Sequence, residues 1–397
     1  MSKKIKDTIF LVIAILFVGG VLAGAALATY IAAWHNQALN LPAPTGSYAV
    51  GRAEYDWVDS SRVDALAPQA GVKRELVVWA WYPAAEAGGD PAPYLPPDWV
   101  SAREQGEGVL GRLVESEYGN IHTHSTLRAP LAGQGAFPVI IMQPGLGPVA
   151  TDYTVYAENL ASHGYVVFGI NQPYSSNLVA FPDGRVVESS PAGSIPDSAD
   201  AAQADQDANR IGTTWAEDEL FVTDRLQDLN ADLAGFFHNR LDLAHIGYFG
   251  HSFGGATAVR VCAQDAHCQA AADLDGTLFS AESGAVLKQP VLFMAEDDCG
   301  SNCDTMHQVY ARAQGAAYYL SIANTKHFNY SDLPLRLSPL TRIAFNQVGL
   351  IGSIAPERGL EISNAYLVAF FDQVLKGSAA GLLKGASPYP EVRFESH

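Results

Sequence analysis

The feature that most restricts the fold is a recurrence of short, almost wholly apolar β-type runs. They fall at residues 75–82 (ELVVWAWY), 138–142 (PVIIM), 165–170 (YVVFGI), 246–249 (IGYF), 270–274, 291–294 (VLFM) and 317–322 (AYYLSI). A strand with polar residues at alternate positions can face water, whereas one that is apolar throughout needs both faces covered. Helical runs lie between these strands. The clearest spans residues 214–239, where Val222, Leu226, Leu229, Leu233 and Phe236 share one face at the helical period. Such an alternation predicts an α/β fold, a mostly parallel central sheet with helices on both faces. Residues 88–137, rich in Pro and Gly, and residues 182–213, polar and acidic, stand outside the pattern. Both read as long surface connections of the kind that form lids or substrate-facing walls.

The chain has enough apolar material for a large core, with 48% hydrophobic and 17% charged residues. Its net charge of −18 repels phosphate backbones, so no nucleic-acid partner is expected. Lys3, Lys4 and Lys6 precede an uncharged stretch at residues 8–34, longer than the ~20 residues that a membrane helix needs. Gly19-Gly20 could also end a signal-peptide core, and Ala26-Leu27-Ala28 is an acceptable cleavage site. Both readings leave the positive flank in the cytoplasm and the rest of the chain outside it, either membrane-anchored or secreted after cleavage. Residues 1–34 are therefore read as a hydrophobic N-terminal helix, anchor or signal, and residues 35–47 as a Pro-rich linker. Residues 48–397 are read as one α/β domain.

In an exported chain, an even set of closely spaced cysteines reads as disulfides. Cys262 with Cys268 and Cys299 with Cys303 are the local pairs expected among three possible connectivities. The rival for the second pair is a metal site with Asp297, Asp298 and Asp304, but the run lacks the C-x₂-C pairs and histidines of a zinc module. No metal is expected.

Gly250-His251-Ser252-Phe253-Gly254-Gly255 is a G-x-S-x-G motif with an apolar strand before it and a helix-forming run, ATAVRVCAQ, after it. Small residues two before and two after the serine allow the sharp strand-to-helix turn that lifts Oγ above the sheet. His251 reads as a packing residue of this turn. A serine hydroxyl needs a histidine to take its proton, and the histidine needs a carboxylate to hold its tautomer, in the chain order Ser, acid, His. Among the histidines that follow Ser252, His327 lies just beyond the strand at 317–322. His267 sits between cysteines, His307 lies in a helical run, and His397 is terminal. Asp273, Asp275, Asp297 and Asp298 all follow strands, so the residues alone leave the acid open. The oxyanion hole is expected from the backbone N–H of Phe253 and from that of Leu146, in the loop Gln143-Pro144-Gly145-Leu146-Gly147.

The ordered set of segments resembles the secreted and type II platelet-activating factor acetylhydrolases, within the α/β-hydrolases, and their bacterial esterase relatives. It comprises RELVVWAWYPA (74–84), FPVIIMQPGLG (137–147), LASHGYVV (160–167), GHSFGGAT (250–257), LDGTLF (274–279), KHFNYSDL (326–333) and NAYLVAFFD (364–372). The likeness runs from Gly46 to Phe394. It implies Ser252 as nucleophile, His327 as general base, Asp275 as the orienting acid, and Leu146 and Phe253 as oxyanion donors. It also implies a cofactor-independent esterase that removes short acyl groups from small-molecule or lipid esters, in some members from phospholipids. The family usually carries His-Gly in the oxyanion loop, where this chain has Pro144 before Gly145, a departure that bears on the rigidity of the loop.

The expected protein is a serine esterase. Its rivals are a general short-chain ester or polyester hydrolase and, from another class, a catalytically silent hydrolase-fold ectodomain that binds. Contact with a membrane is expected through the N-terminal segment if it is uncleaved. Asn329-Tyr330-Ser331 is a formal glycosylation acceptor that abuts His327 and is expected to be unused.

Overall fold

A computed structural model describes residues 3–106, 115–196, 198–379 and 381–397. Of the two stretches expected as surface connections, residues 107–114 of the first and residue 197 of the second lie outside the described residues. The chain opens with helix α1 (Lys3–His35), none of whose residues is buried and which is apolar and long enough to cross a membrane. Its end is fixed to the body. The Trp34 indole N–H donates to the Arg336 carbonyl at 3.4 Å, and His35 pairs with Glu117 at 2.9 Å.

The strands in chain order are β1 (Leu39–Asn40), β2 (Ala49–Val63), β3 (Lys73–Ala84), β4 (Pro91–Pro93), β5 (Ile121–Leu127), β6 (Phe137–Gln143), β7 (Val166–Asn171), β8 (Leu178–Ala180), β9 (Val186–Glu188), β10 (Leu241–His251), β11 (Cys268–Leu274), β12 (Val291–Glu296), β13 (Ala317–Ile322) and β14 (Val392–Ser396). Among the described residues they form one large sheet in the order β1-β5-β2-β3-β7-β6-β10-β11-β12-β13-β14, with β4 beside β5 and a separate β8-β9 pair. The centre, from β7 to β13, is parallel, while β3 and β14 run antiparallel to their inner neighbours.

The apolar character of the central strands has the expected cause. Side chains alternate between faces, so Ile140 and Met142 of β6 join one core while Val139 and Ile141 join the other. On the first face lie helices α2 (Pro97–Gly106), α3 (Thr154–Ser162) and, late in the chain, Pro356–Leu375. On the second lie α4 (Ala201–Ala231) and α5 (Phe253–Cys262). Gly247 marks a close approach, since a Cβ there would lie 2.6 Å from the Phe371 ring.

Three expectations change. The helix expected at 214–239 runs instead from Ala201 to Ala231, reaching back through the acidic stretch read as a surface connection. Asp200 starts it by accepting from the Gln203 N–H, and Ile211 and Trp215 bury a face that the polar composition concealed. Leu233 and Phe236 then lie beyond its end, 85% and 43% exposed, because the chain turns at Asp232–Gly235 and sends Phe237 into the core instead. Residues 88–137 are no simple connection either, since they contribute α2, β4 and β5. Finally, the linker is pinned: β1 pairs with β5, Leu41 is buried, and the Asn159 side chain holds Thr45. The folded body thus begins at Leu39, ahead of residue 48.

Both local disulfides are present. Cys262–Cys268 joins the end of α5 to the start of β11, and Cys299–Cys303 closes the loop after β12. With its sulfurs paired, the second loop has no thiolates for a metal. Opening Cys262–Cys268 by a double Cys→Ala change is expected to cost about 2 kcal/mol, because so short a loop constrains the unfolded chain only modestly. Urea unfolding measures this, and an unchanged midpoint would contradict it.

Candidate active site

Parallel strands bring their carboxyl ends to one edge of the sheet, where ligand sites of open α/β folds form. At that edge β10 turns into α5 through Ser252, which stands at φ 56°, a conformation costing of order 1–3 kcal/mol for a non-glycine residue. The surroundings enforce it. The Ser252 N–H donates to the Leu274 carbonyl at 2.9 Å, and the Gly255 N–H returns to the Ser252 carbonyl at 3.0 Å. A Cβ at Gly250 would lie 2.3 Å from the Gly254 backbone, and one at Gly254 would lie 2.3 Å from the Pro144 carbonyl oxygen. Glycine is required on both sides of the turn, and the hydroxyl is left half-exposed above the sheet.

His327 opens the short 3₁₀ turn His327–Tyr330 beyond β13. Its Nε2 lies 2.9 Å from Ser252 Oγ, and its Nδ1 lies 2.7 Å from Asp275 Oδ2. Asp275, at the end of β11, also adopts φ 56° and is buried. Its backbone N–H donates to the Met294 carbonyl, and its Oδ1 accepts the Glu296 N–H at 2.8 Å. One carboxylate oxygen is thus held by the sheet and the other faces the imidazole.

The other candidate acids are engaged elsewhere. Asp273 lies under the elbow, fully buried, with Oδ1 accepting the Gly276 N–H, and burial raises its carboxyl well above the ordinary range. Asp297 accepts the Asn324 N–H at 3.1 Å, and the Asp298 carbonyl accepts from Lys326. Lys326 also reaches Glu296 at 3.1 Å. The disulfide-closed loop therefore braces the segment carrying His327 without offering it a carboxylate.

The loop Gln143-Pro144-Gly145-Leu146-Gly147 lies directly against the elbow. A Cβ on Gly145 would sit 3.1 Å from the Ser252 Cβ, and Gly147 has φ 95°, which explains both glycines. The Leu146 N–H has no hydrogen-bond partner among the described residues, and the Phe253 N–H belongs to the open first turn of α5. Leu146, Tyr174, Ile195 and Phe279 pack around Phe253 and Trp215, forming an apolar wall beside these amides. Asn329, the formal glycosylation acceptor, is buried and uses its side-chain oxygen to hold the Lys326 and Gly352 N–H groups. Sequence reasoning missed Tyr153 and the Glu296 amide, which contact the site from distant segments and carry no local signature.

A mostly parallel sheet with a strained serine elbow and a histidine and carboxylate in line defines an α/β-hydrolase, and the chain is a serine ester hydrolase of that class. The family described as platelet-activating factor acetylhydrolase, isoform II, matches residues 33–181 and 222–379. The chain belongs to this family. A probable 1-alkyl-2-acetylglycerophosphocholine esterase of Arthroderma benhamiae is 25% identical, covering 96% of this chain and 100% of that protein. The platelet-activating factor acetylhydrolase of Cavia porcellus is 23% identical over 70% of this chain and 68% of its own length. Among solved structures, a ferulic acid esterase from Streptomyces cinnamoneus superposes with a TM-score of 0.72 at 27% identity, covering 90% of this chain and 99% of that one.

Proposed function

We propose that Ser252 is the nucleophile, His327 the general base and Asp275 the acid that orients it, in the hydrolysis of short-acyl esters. The observation that carries this reading is the continuous line Oγ, Nε2, Nδ1, Oδ2, at 2.9 and 2.7 Å, beginning at a strained serine. Ser252 Oγ attacks the ester carbonyl while His327 Nε2 takes its proton. The developing oxyanion is received by the Leu146 and Phe253 N–H groups. His327 passes the proton to the leaving alkoxide, then activates a water that frees the acid from Ser252. No cofactor takes part.

The names of the sequence relatives favour the acetyl group of a 1-alkyl-2-acetylglycerophosphocholine as substrate. The ferulic acid esterase supports a second reading, a general ester hydrolase that also takes esters of aromatic acids. Acetate release from the phospholipid should exceed hydrolysis of methyl ferulate at equal concentration, and the reverse order favours the second reading. On the first reading the folded body that begins at Leu39 works outside the cytoplasm. The contacts of Trp34 and His35 with the body support retention of α1 as an anchor.

A fluorophosphonate probe applied to the full-length protein in detergent should label one peptide, that containing Ser252. Absence of labelling would favour the silent binding ectodomain, and labelling of another serine would overturn the assignment.

A further inference from the structure

His251, the residue before the nucleophile, is 1% exposed, yet it makes polar contacts on both ring nitrogens. Its Nε2 lies 2.9 Å from the His327 carbonyl oxygen, which can only accept, so Nε2 carries the hydrogen. Nδ1 is then bare and accepts the Tyr153 O–H at 2.8 Å. The Tyr153 oxygen in turn accepts the Gly145 N–H at 3.1 Å. Each donor and acceptor in this series has one partner, and both rings are buried. Burial, and next the closeness of the His327 ring, hold the His251 pKa well below the ordinary histidine value, in keeping with the single tautomer that the bonds require.

The ends of the series decide what it does. Gly145 lies so close to Ser252 that a Cβ added to it would sit 3.1 Å from the serine Cβ, and it directly precedes Leu146, whose N–H is one oxyanion donor in the proposed function. The other end is the backbone of His327, whose ring stands 4.6 Å from that of His251. These two segments are nearly two hundred residues apart in the chain. A side chain that only filled space would need no polar atoms at this place, where an unpaired one costs about 1–3 kcal/mol.

We propose that His251 is a positioning residue: with Tyr153 it ties the loop bearing the Leu146 N–H to the backbone of His327, so that oxyanion donor and base keep a set separation across Ser252. The role rests on the reading of Ser252 and His327 given above. Displacement of an oxyanion donor weakens a contact that strengthens in the transition state, so the loss should fall on kcat and spare KM.

The test uses p-nitrophenyl acetate and the full-length protein in detergent, with Ser252→Ala as the reference for nucleophile dependence. Tyr153→Phe removes one oxygen and keeps the ring, so it is the variant least disturbing to the fold. It should lower kcat about 10- to 100-fold with KM within about threefold. His251→Phe should do the same or more, and the double variant should be no slower than His251→Phe alone, because both break one series. His251→Gln, whose amide N–H can still reach the His327 carbonyl, should recover part of the loss. Ser252-dependent turnover within threefold of wild type in both Tyr153→Phe and His251→Phe, or losses that multiply in the double variant, would overturn the positioning role and leave the nucleophile in place. Hydrolysis that persists in Ser252→Ala would overturn both.

Discussion

Ser252→Ala is expected to lower ester hydrolysis by roughly 10³–10⁶-fold while the protein folds and melts as before. The serine occupies φ 56°, and its strain comes from having a Cβ at all, which alanine keeps. The backbone bonds that enforce the turn, from Ser252 N–H to the Leu274 carbonyl and from Gly255 N–H to the Ser252 carbonyl, use no side-chain atom. The substitution deletes only Oγ and its contact with His327 Nε2. No stability change beyond a few tenths of a kcal/mol follows from that, since the deleted hydroxyl was only partly buried and the part-exposed His327 ring can turn to water instead. The size of the activity loss follows from the removal of the covalent route, with oxyanion donors and binding leaving a residual rate above water. Hydrolysis of p-nitrophenyl acetate and a thermal melt check the two halves. Activity above a tenth of wild type in a clean preparation would show that another group attacks the ester.

What could be read in the chain divides by range. The serine elbow, the position of His327 after a strand and the two cysteine pairs depend on neighbours within a few residues, and the sequence carries those neighbours. The helix Ala201–Ala231 is half hidden because its first turns are acidic and polar, with Ile211 the single large apolar residue ahead of Trp215 to mark the buried face. The apolar period that ran on through Leu233 and Phe236 was a coincidence of spacing, overruled by the turn at Asp232–Gly235. Periodicity says which residues could share a face, but not where a helix stops. The pinning of residues 39–45 and the series Gly145, Tyr153, His251, His327 join segments far apart in the chain. Nothing local encodes them.

The acid lies between these extremes, because position after a strand admitted several carboxylates and only their tertiary surroundings separate them. Asp275→Asn is expected to lower turnover by ~10⁴-fold with little change in substrate binding. The cause is the tautomer. Asp275 Oδ1 is already held by the Glu296 N–H, so the substituted amide would keep its oxygen there and turn its NH₂ toward His327. His327 Nδ1 could then only accept, its hydrogen would move to Nε2, and Nε2 could no longer take the proton of Ser252 Oγ. Asp297→Asn and Asp298→Asn meet no such conflict. Asp297 accepts a backbone N–H, which an amide oxygen can also do, and Asp298 contributes its main-chain carbonyl. Each should cost less than about tenfold, under ~1.4 kcal/mol of barrier. The comparison also separates a carboxylate that follows β11 from one that follows β12, the two strand ends at which the candidate acids stand. If Asp297→Asn or Asp298→Asn abolished turnover while Asp275→Asn spared it, the carboxylate would act from the disulfide-closed loop, and the bond from Asp275 to His327 would be structural only.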